Sequence, residues 1–323
     1  SLIDVRLPLA PSTALPLALM AVLLSLLWNS AWMRQRSTAI WPTYHRYSYL
    51  VVAFVCVANT TLVHDAGLSA WEVIVAVAVF GLVAAEQLWL AMRRATAEPG
   101  PATQGISRRD LGELHVWLAE GVAALGAVYL WWMGVLHLGG IMGRFAPVVL
   151  AAVLFGVSRA ANASRRWNVL SQPFEWTSLL LPLATVGICL WRHVSATAPG
   201  WLGLNSLALL LAAAFYFWRG LEQKSPRLLI LSAAVLNTAS ILLWRELDVR
   251  DPQFFMIPLG LTVLGLIELL KPQIPSGSVD PLRYVGALTI LVSPTFHIVE
   301  GSWLHLLTLL IVSVLITLAA IGL

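Results

Sequence analysis

Two carboxylates stand in stretches that are otherwise apolar: Glu86 in VFGLVAAEQLWLAM and Glu120 in HVWLAEGVAALGAVYL. A charged side chain in hydrocarbon costs at least ~2.5–3.5 kcal/mol unless it faces protein or water, so both residues need a reason to be there. If their helices run antiparallel as neighbours, the two fall at similar depth, with Arg159 within reach as a counter-ion. Such a pair can hold a proton or a cation between helices. The alternative is structural: a carboxylate near the end of a span reaches out to the headgroups or into an ion pair.

Two further sets of residues have the right types for chemistry. Asn59 and Asn237, with Thr60, Thr61, Thr238 and Ser240 beside them, lie near the middle of apolar runs. Their amides and hydroxyls either line a solute path or bond across helices, the latter worth ~0.6 kcal/mol each on average. His64, His137, His193, His297 and His305 gather at one predicted end of the spans, with Asp65, Glu72 and Glu300. Imidazole with carboxylate suits a metal ion, and two imidazoles on different helices suit axial haem ligation. No H-x-x-x-H, E-x-x-H or C-x-x-C-H spacing supports either, and interfacial histidine at a helix end is ordinary. The phosphate-loop G-x-x-x-x-G-K-[ST], the zinc motif H-E-x-x-H and the nucleophile elbow G-x-S-x-G are all absent from the chain.

The elements that position these residues follow from composition. Of 323 residues, 59% are hydrophobic and 11% charged, with mean hydropathy +0.81. Soluble domains carry about 25% charged residues, so this deficit places the chain among membrane proteins. The net charge of +4 comes from Lys and Arg in the turns between apolar runs, which is a topological signal and not a nucleic-acid surface. Cys56 and Cys189 both fall inside apolar runs, where a thiol behaves as a small hydrophobe, and they define no disulfide framework.

A helix needs about 20 apolar residues to cross the hydrocarbon core. The chain supplies eleven such stretches: 16–33, 47–66, 70–92, 114–138, 145–160 (short), 174–193, 201–218, 228–247, 252–270, 282–299 and 302–323. The turns after odd-numbered spans, with the span ends beside them, hold fifteen of the twenty basic residues, the turns after even-numbered spans with theirs hold four, and Arg6 is the last. Positive charge stays on the cytoplasmic side, so the N-terminus is expected outside. Trp131, Trp191, Trp201 and Trp244 at one set of span ends, and Trp28, Trp89, Trp117 and Trp218 at the other, form the two aromatic belts this layout requires.

Val57-Ala58-Asn59-Thr60 and Val235-Leu236-Asn237-Thr238 share V-x-N-T six spans apart. That even spacing would make any duplication parallel, and chance in apolar sequence rivals it. Ala152, Gly156 and Ala160 make a small-residue stripe, and Pro258 and Pro294 either kink or break their helices. Ser1 and Leu323, which ends an apolar run without a polar flank, give the look of a fragment of a longer chain.

Leu282-Arg283-Tyr284-Val285-Gly286, followed by Val292-Ser293-Pro294-Thr295, resembles large bacterial multi-pass membrane proteins of unknown function. The resemblance extends loosely over the second half and implies a long series of hydrophobic hairpins, with no catalytic residues to carry over.

The expectation is an all-α polytopic membrane protein: a single transmembrane domain over residues 1–323, about eleven helices in antiparallel hairpins, in a bacterial inner membrane. The leading functional expectation is a non-catalytic scaffold or accessory subunit. It would pack against itself or other membrane subunits, with bound lipid, no other cofactor and no nucleic acid. A transporter or channel for a proton, ion or small solute through Glu86, Glu120 and the asparagines is the alternative, and a haem or metal protein using the histidines the third.

Overall fold

The structure is a computed structural model. It describes residues 11–29, 41–62, 68–96, 108–136, 140–164, 167–195 and 203–299, together with 303, 306–308, 310, 311, 313 and 314. Among the described residues every regular element is helical. The long helices are α1 (Pro11–Asn29), α2 (Trp41–Leu62), α3 (Ala70–Thr96), α4 (Arg108–Trp132), α5 (Ile141–Asn162), α6 (Ser171–Ser195), α7 (Leu204–Glu222), α8 (Pro226–Glu246), α9 (Gln253–Leu270) and α10 (Ser276–Val299). Two short 3₁₀ turns, Asn168–Leu170 and Lys271–Gln273, complete the set. Among the described residues, seven segments, those of α3 to α9, are long and apolar enough to cross a membrane.

Local sequence explains how these helices begin and end. Ser69-x-x-Glu72 closes a capping box on α3: the Ser69 N–H and hydroxyl donate to Glu72 Oε2 at 2.7 Å each, and the Glu72 N–H faces Ser69 Oγ at 3.4 Å. The C-termini of α4, α7 and α8 share one motif. Gly134 (φ +72), Lys224 (φ +50) and Asp248 (φ +52) turn left-handed. The next N–H then reaches back five residues: Val135 to Leu130 at 2.9 Å, Ser225 to Gly220 at 2.9 Å, and Val249 to Trp244 at 2.8 Å. This satisfies carbonyls that would otherwise be orphaned. It also ends α4 at Trp132, six residues before the limit read from hydropathy alone.

Helix α5 runs longer than the sequence suggested, from Ile141 to Asn162, because Arg144 lies inside its first turn with 6% of its surface exposed. The small-residue stripe on this helix, Ala152, Gly156 and Ala160, is exposed. Helix α9 is continuous through Pro258.

The chain packs as two units, Ser1–Leu138 with Val153–Ser178, and Gly139–Ala152 with Leu179–Leu323. In the first, α1 packs on both α2 and α3, and α3 pairs with α4. Ala14, Leu15, Ala18 and Val22 of α1 meet Ala53 and Val57 of α2 and Val75 and Val79 of α3 in its core. The 3₁₀ turn packs Val169 and Leu170 against Ala91 and Val116. In the second, α7, α8, α9 and α10 pair in sequence order. Burial of such faces is not what holds membrane helices together, since lipid is as apolar as leucine; close packing and hydrogen bonds between helices are.

Candidate functional site

The polar side chains of the first unit sit on facing helices. His115 on α4 donates through Nδ1 to Gln87 Oε1 on α3 at 2.7 Å. Gly112, one turn earlier, lets the 3₁₀ turn in: a Cβ there would lie 2.8 Å from Val169 Cγ2. At the other ends of α2 and α4, Thr60 Oγ1 lies 2.6 Å from the Tyr129 hydroxyl. Thr60 gives its own proton to the Val57 carbonyl at 2.7 Å, so Tyr129 is the donor to Thr60. The Tyr129 ring is also tilted against Phe80, 5.7 Å between centroids.

Glu86 is buried, 5% exposed, beside Gln87 on α3. Glu120 Oε2 accepts the Thr177 hydroxyl of α6 at 2.7 Å, while among the described residues Oε1 is buried without a hydrogen bond. The Gln87–His115 bond fixes the register of α3 and α4, and by that register Glu120 is level with residues about one turn from Glu86. The two carboxylates are therefore offset by about one turn along the helices. The bond recorded for Glu120 is to Thr177 and not to Glu86. Arg159, exposed on α5, lies over the Phe155 ring of its own helix at 5.1 Å from the centroid.

Asn59 is half-buried on α2. In the second unit, Asn237 Nδ2 donates to the Ala233 carbonyl at 2.9 Å and to Thr262 Oγ1 on α9 at 2.7 Å, joining α8 to α9. Of the five histidines proposed as ligands, His64, His137 and His305 lie outside the described residues. His193 and His297 have described backbone in α6 and α10, but their side chains lie outside. Glu72, grouped with them by sequence, spends its carboxylate on the α3 capping box. No group of three or more His, Cys, Asp or Glu able to hold a metal ion occurs among the described residues.

Several polar partners were not evident from sequence. Glu246 at the end of α8 accepts the Gly203 N–H at 2.8 Å and the Asn205 amide at 3.1 Å, binding the start of α7. Arg219, counted as a turn cation, is fully buried and pairs with Glu222 at 2.7 Å. Arg283 reaches back from α10 to Glu268 on α9 in a charge-assisted bond. Three residues on, Gly286 sits where a Cβ would lie 2.9 Å from the Leu264 side chain. Those two residues of the LRYVG stretch thus join α10 to α9. Spacing along one helix carries no record of which side chain on another helix it will face, which is why these pairs needed coordinates.

Comparison with protein-family models, with curated proteins and with solved structures gives no match.

Proposed function

We propose that this chain is a multi-pass integral membrane protein with a non-catalytic role, a scaffold or accessory subunit packing against other membrane subunits or itself. One observation carries the reading: among the described residues, polar side chains in the apolar helices bond from one helix to another at separate places. Gln87–His115, Thr60–Tyr129, Glu120–Thr177 and Asn237–Thr262 all bond in this way. Such bonds position helices. The finer layout belongs to the same proposal: eleven spans in a bacterial inner membrane, odd-to-even turns in the cytoplasm, and the N-terminus outside.

A second reading, transport of a proton or cation, is favoured by the buried Glu86 and by Glu120 Oε1, which lacks a hydrogen bond among the described residues. One experiment separates the two. Protein reconstituted into vesicles loaded with a pH-sensitive dye is expected to carry no proton flux, and native membranes are expected to yield a stoichiometric membrane partner or a homo-oligomer. A flux that Glu86→Gln and Glu120→Gln abolish would replace the scaffold reading with transport.

A further inference from the structure

A cavity of about 270 Å³ opens in the first unit among α2, α3 and α4. Its floor is Ala53, Val57, Val79 and Gln87, all buried, and its rim is Tyr47, Phe54, Leu118 and Leu125, all exposed. The lining is apolar except at one end, where Tyr47, Gln87 and His115 meet. Towards the other end the Thr60–Tyr129 hydrogen bond ties α2 to α4, with Phe80 against the Tyr129 ring. Thus α3 forms the back wall, and α2 and α4 the two sides.

The dimensions select an occupant. From Tyr47 to Val57, and from His115 to Leu125, the groove follows ten residues of helix, about 15 Å at 1.5 Å per residue. That is half of the roughly 30 Å hydrocarbon core, the depth of a single leaflet. At its polar end lie the start of α2, the end of α3 and the start of α4. Residues 41–46, 93–96 and 108–113 carry five arginines (46, 93, 94, 108 and 109) against two acids, Asp110 and Glu113. Among them Arg93 is exposed on α3 and lies over the Trp89 ring at 5.1 Å. An apolar slot one leaflet deep, polar at its mouth and flanked by net positive charge, is complementary to one molecular class.

We propose that this groove binds an anionic phospholipid, one acyl chain lying between α2 and α4 against α3, its phosphate level with Gln87, His115 and the arginine-rich helix ends. The chain contributes apolar burial along its length, and those arginines attract the headgroup charge. Thr60–Tyr129 sets the far limit, so the fit ends near mid-bilayer. The inference rests on the membrane reading above, but not on the scaffold role.

The test uses full-length protein in detergent, equilibrated with mixed micelles of equal phosphatidylglycerol and phosphatidylcholine, then separated from free lipid. Bound lipid is identified by mass spectrometry. Retention of phosphatidylglycerol is expected to exceed that of phosphatidylcholine by about fivefold, the ratio for one basic residue's attraction to an anionic headgroup. Val122→Phe, which fills the groove, is expected to abolish the excess.

A phosphatidylglycerol with a diazirine in its acyl chain gives a second readout on the unaltered protein. Its adducts are expected at Phe54, Leu118 and Leu125. Equal retention of the two lipids would overturn the proposal. So would an excess that survives in folded Val122→Phe, or adducts spread over other exposed apolar residues such as Leu180 and Leu261. Each of these leaves the membrane reading standing, whereas recovery of the chain in the aqueous fraction without detergent would remove both.

Discussion

Two helix pairs of this chain solve one problem differently. In the second unit, α9 and α10 approach until little lies between them: a Cβ on Gly260 would run into Ile290 Cγ1 and sit 2.8 Å from the Gly286 carbonyl. Gly220 does the same for α7 and α8, where an added Cβ would meet Leu229 at 2.8 Å. In the first unit, α2 and α4 are tied near one end by a tyrosine hydroxyl, and a cavity extends along the rest. Hydrocarbon supplies no force to expel lipid from between helices, so contact must be made by shape or by hydrogen bonds. Small residues give shape complementarity and leave no space. A polar tie between large side chains holds its helices at one level and leaves room elsewhere.

Three pairs of substitutions test how these helices are held. The largest effect is expected at Gly260. Gly260→Ala puts a methyl against a backbone carbonyl that cannot rotate away, costing about 1–3 kcal/mol as overpacking does elsewhere. Gly265, on the same helix, has open space at its Cβ position, and Gly265→Ala is expected to be neutral or to stabilise by up to about 1 kcal/mol through helix propensity. Reversible unfolding of both variants in mixed micelles checks this. Equal stability would mean that α9 and α10 do not approach as described.

An intermediate effect is expected at the tie between α2 and α4. A double-mutant cycle of Thr60→Val with Tyr129→Phe is expected to give a coupling energy of about 0.6 kcal/mol, and at most about 1.7. Zero coupling would remove the limit that this bond sets on the groove. The smallest effect concerns the left-handed helix ends. Lys224→Gly is expected to stabilise by up to about 1 kcal/mol, since an L-residue with a Cβ is disfavoured at φ +50. Asp248→Gly is expected to gain less, because Asp tolerates that conformation.

Hydropathy located α3 to α9 because each carries an apolar run near the length that crossing a bilayer requires. Helix ends were less legible. Gly134 carried a readable stop signal for α4 that the apolar residues after it concealed, whereas Lys224 and Asp248 adopt the same geometry without glycine's signature. Arg144 and Arg219 look like turn residues by type, yet both are buried within helices. Glu86, Glu120 and Asn237 stood out as polar positions in apolar runs. What they face depends on helix rotation and on which helices become neighbours. A pattern of residue types along one chain segment does not encode that, so Thr177 and Thr262 emerged as partners only from the coordinates.

The proposed topology has these helices crossing a bilayer with their cationic turns on one side. Reporter tags inserted at Gly100, between α3 and α4, and at Gly200, between α6 and α7, test that arrangement. Gly100 is expected in the cytoplasm and Gly200 on the opposite side. Both tags in one compartment would contradict it.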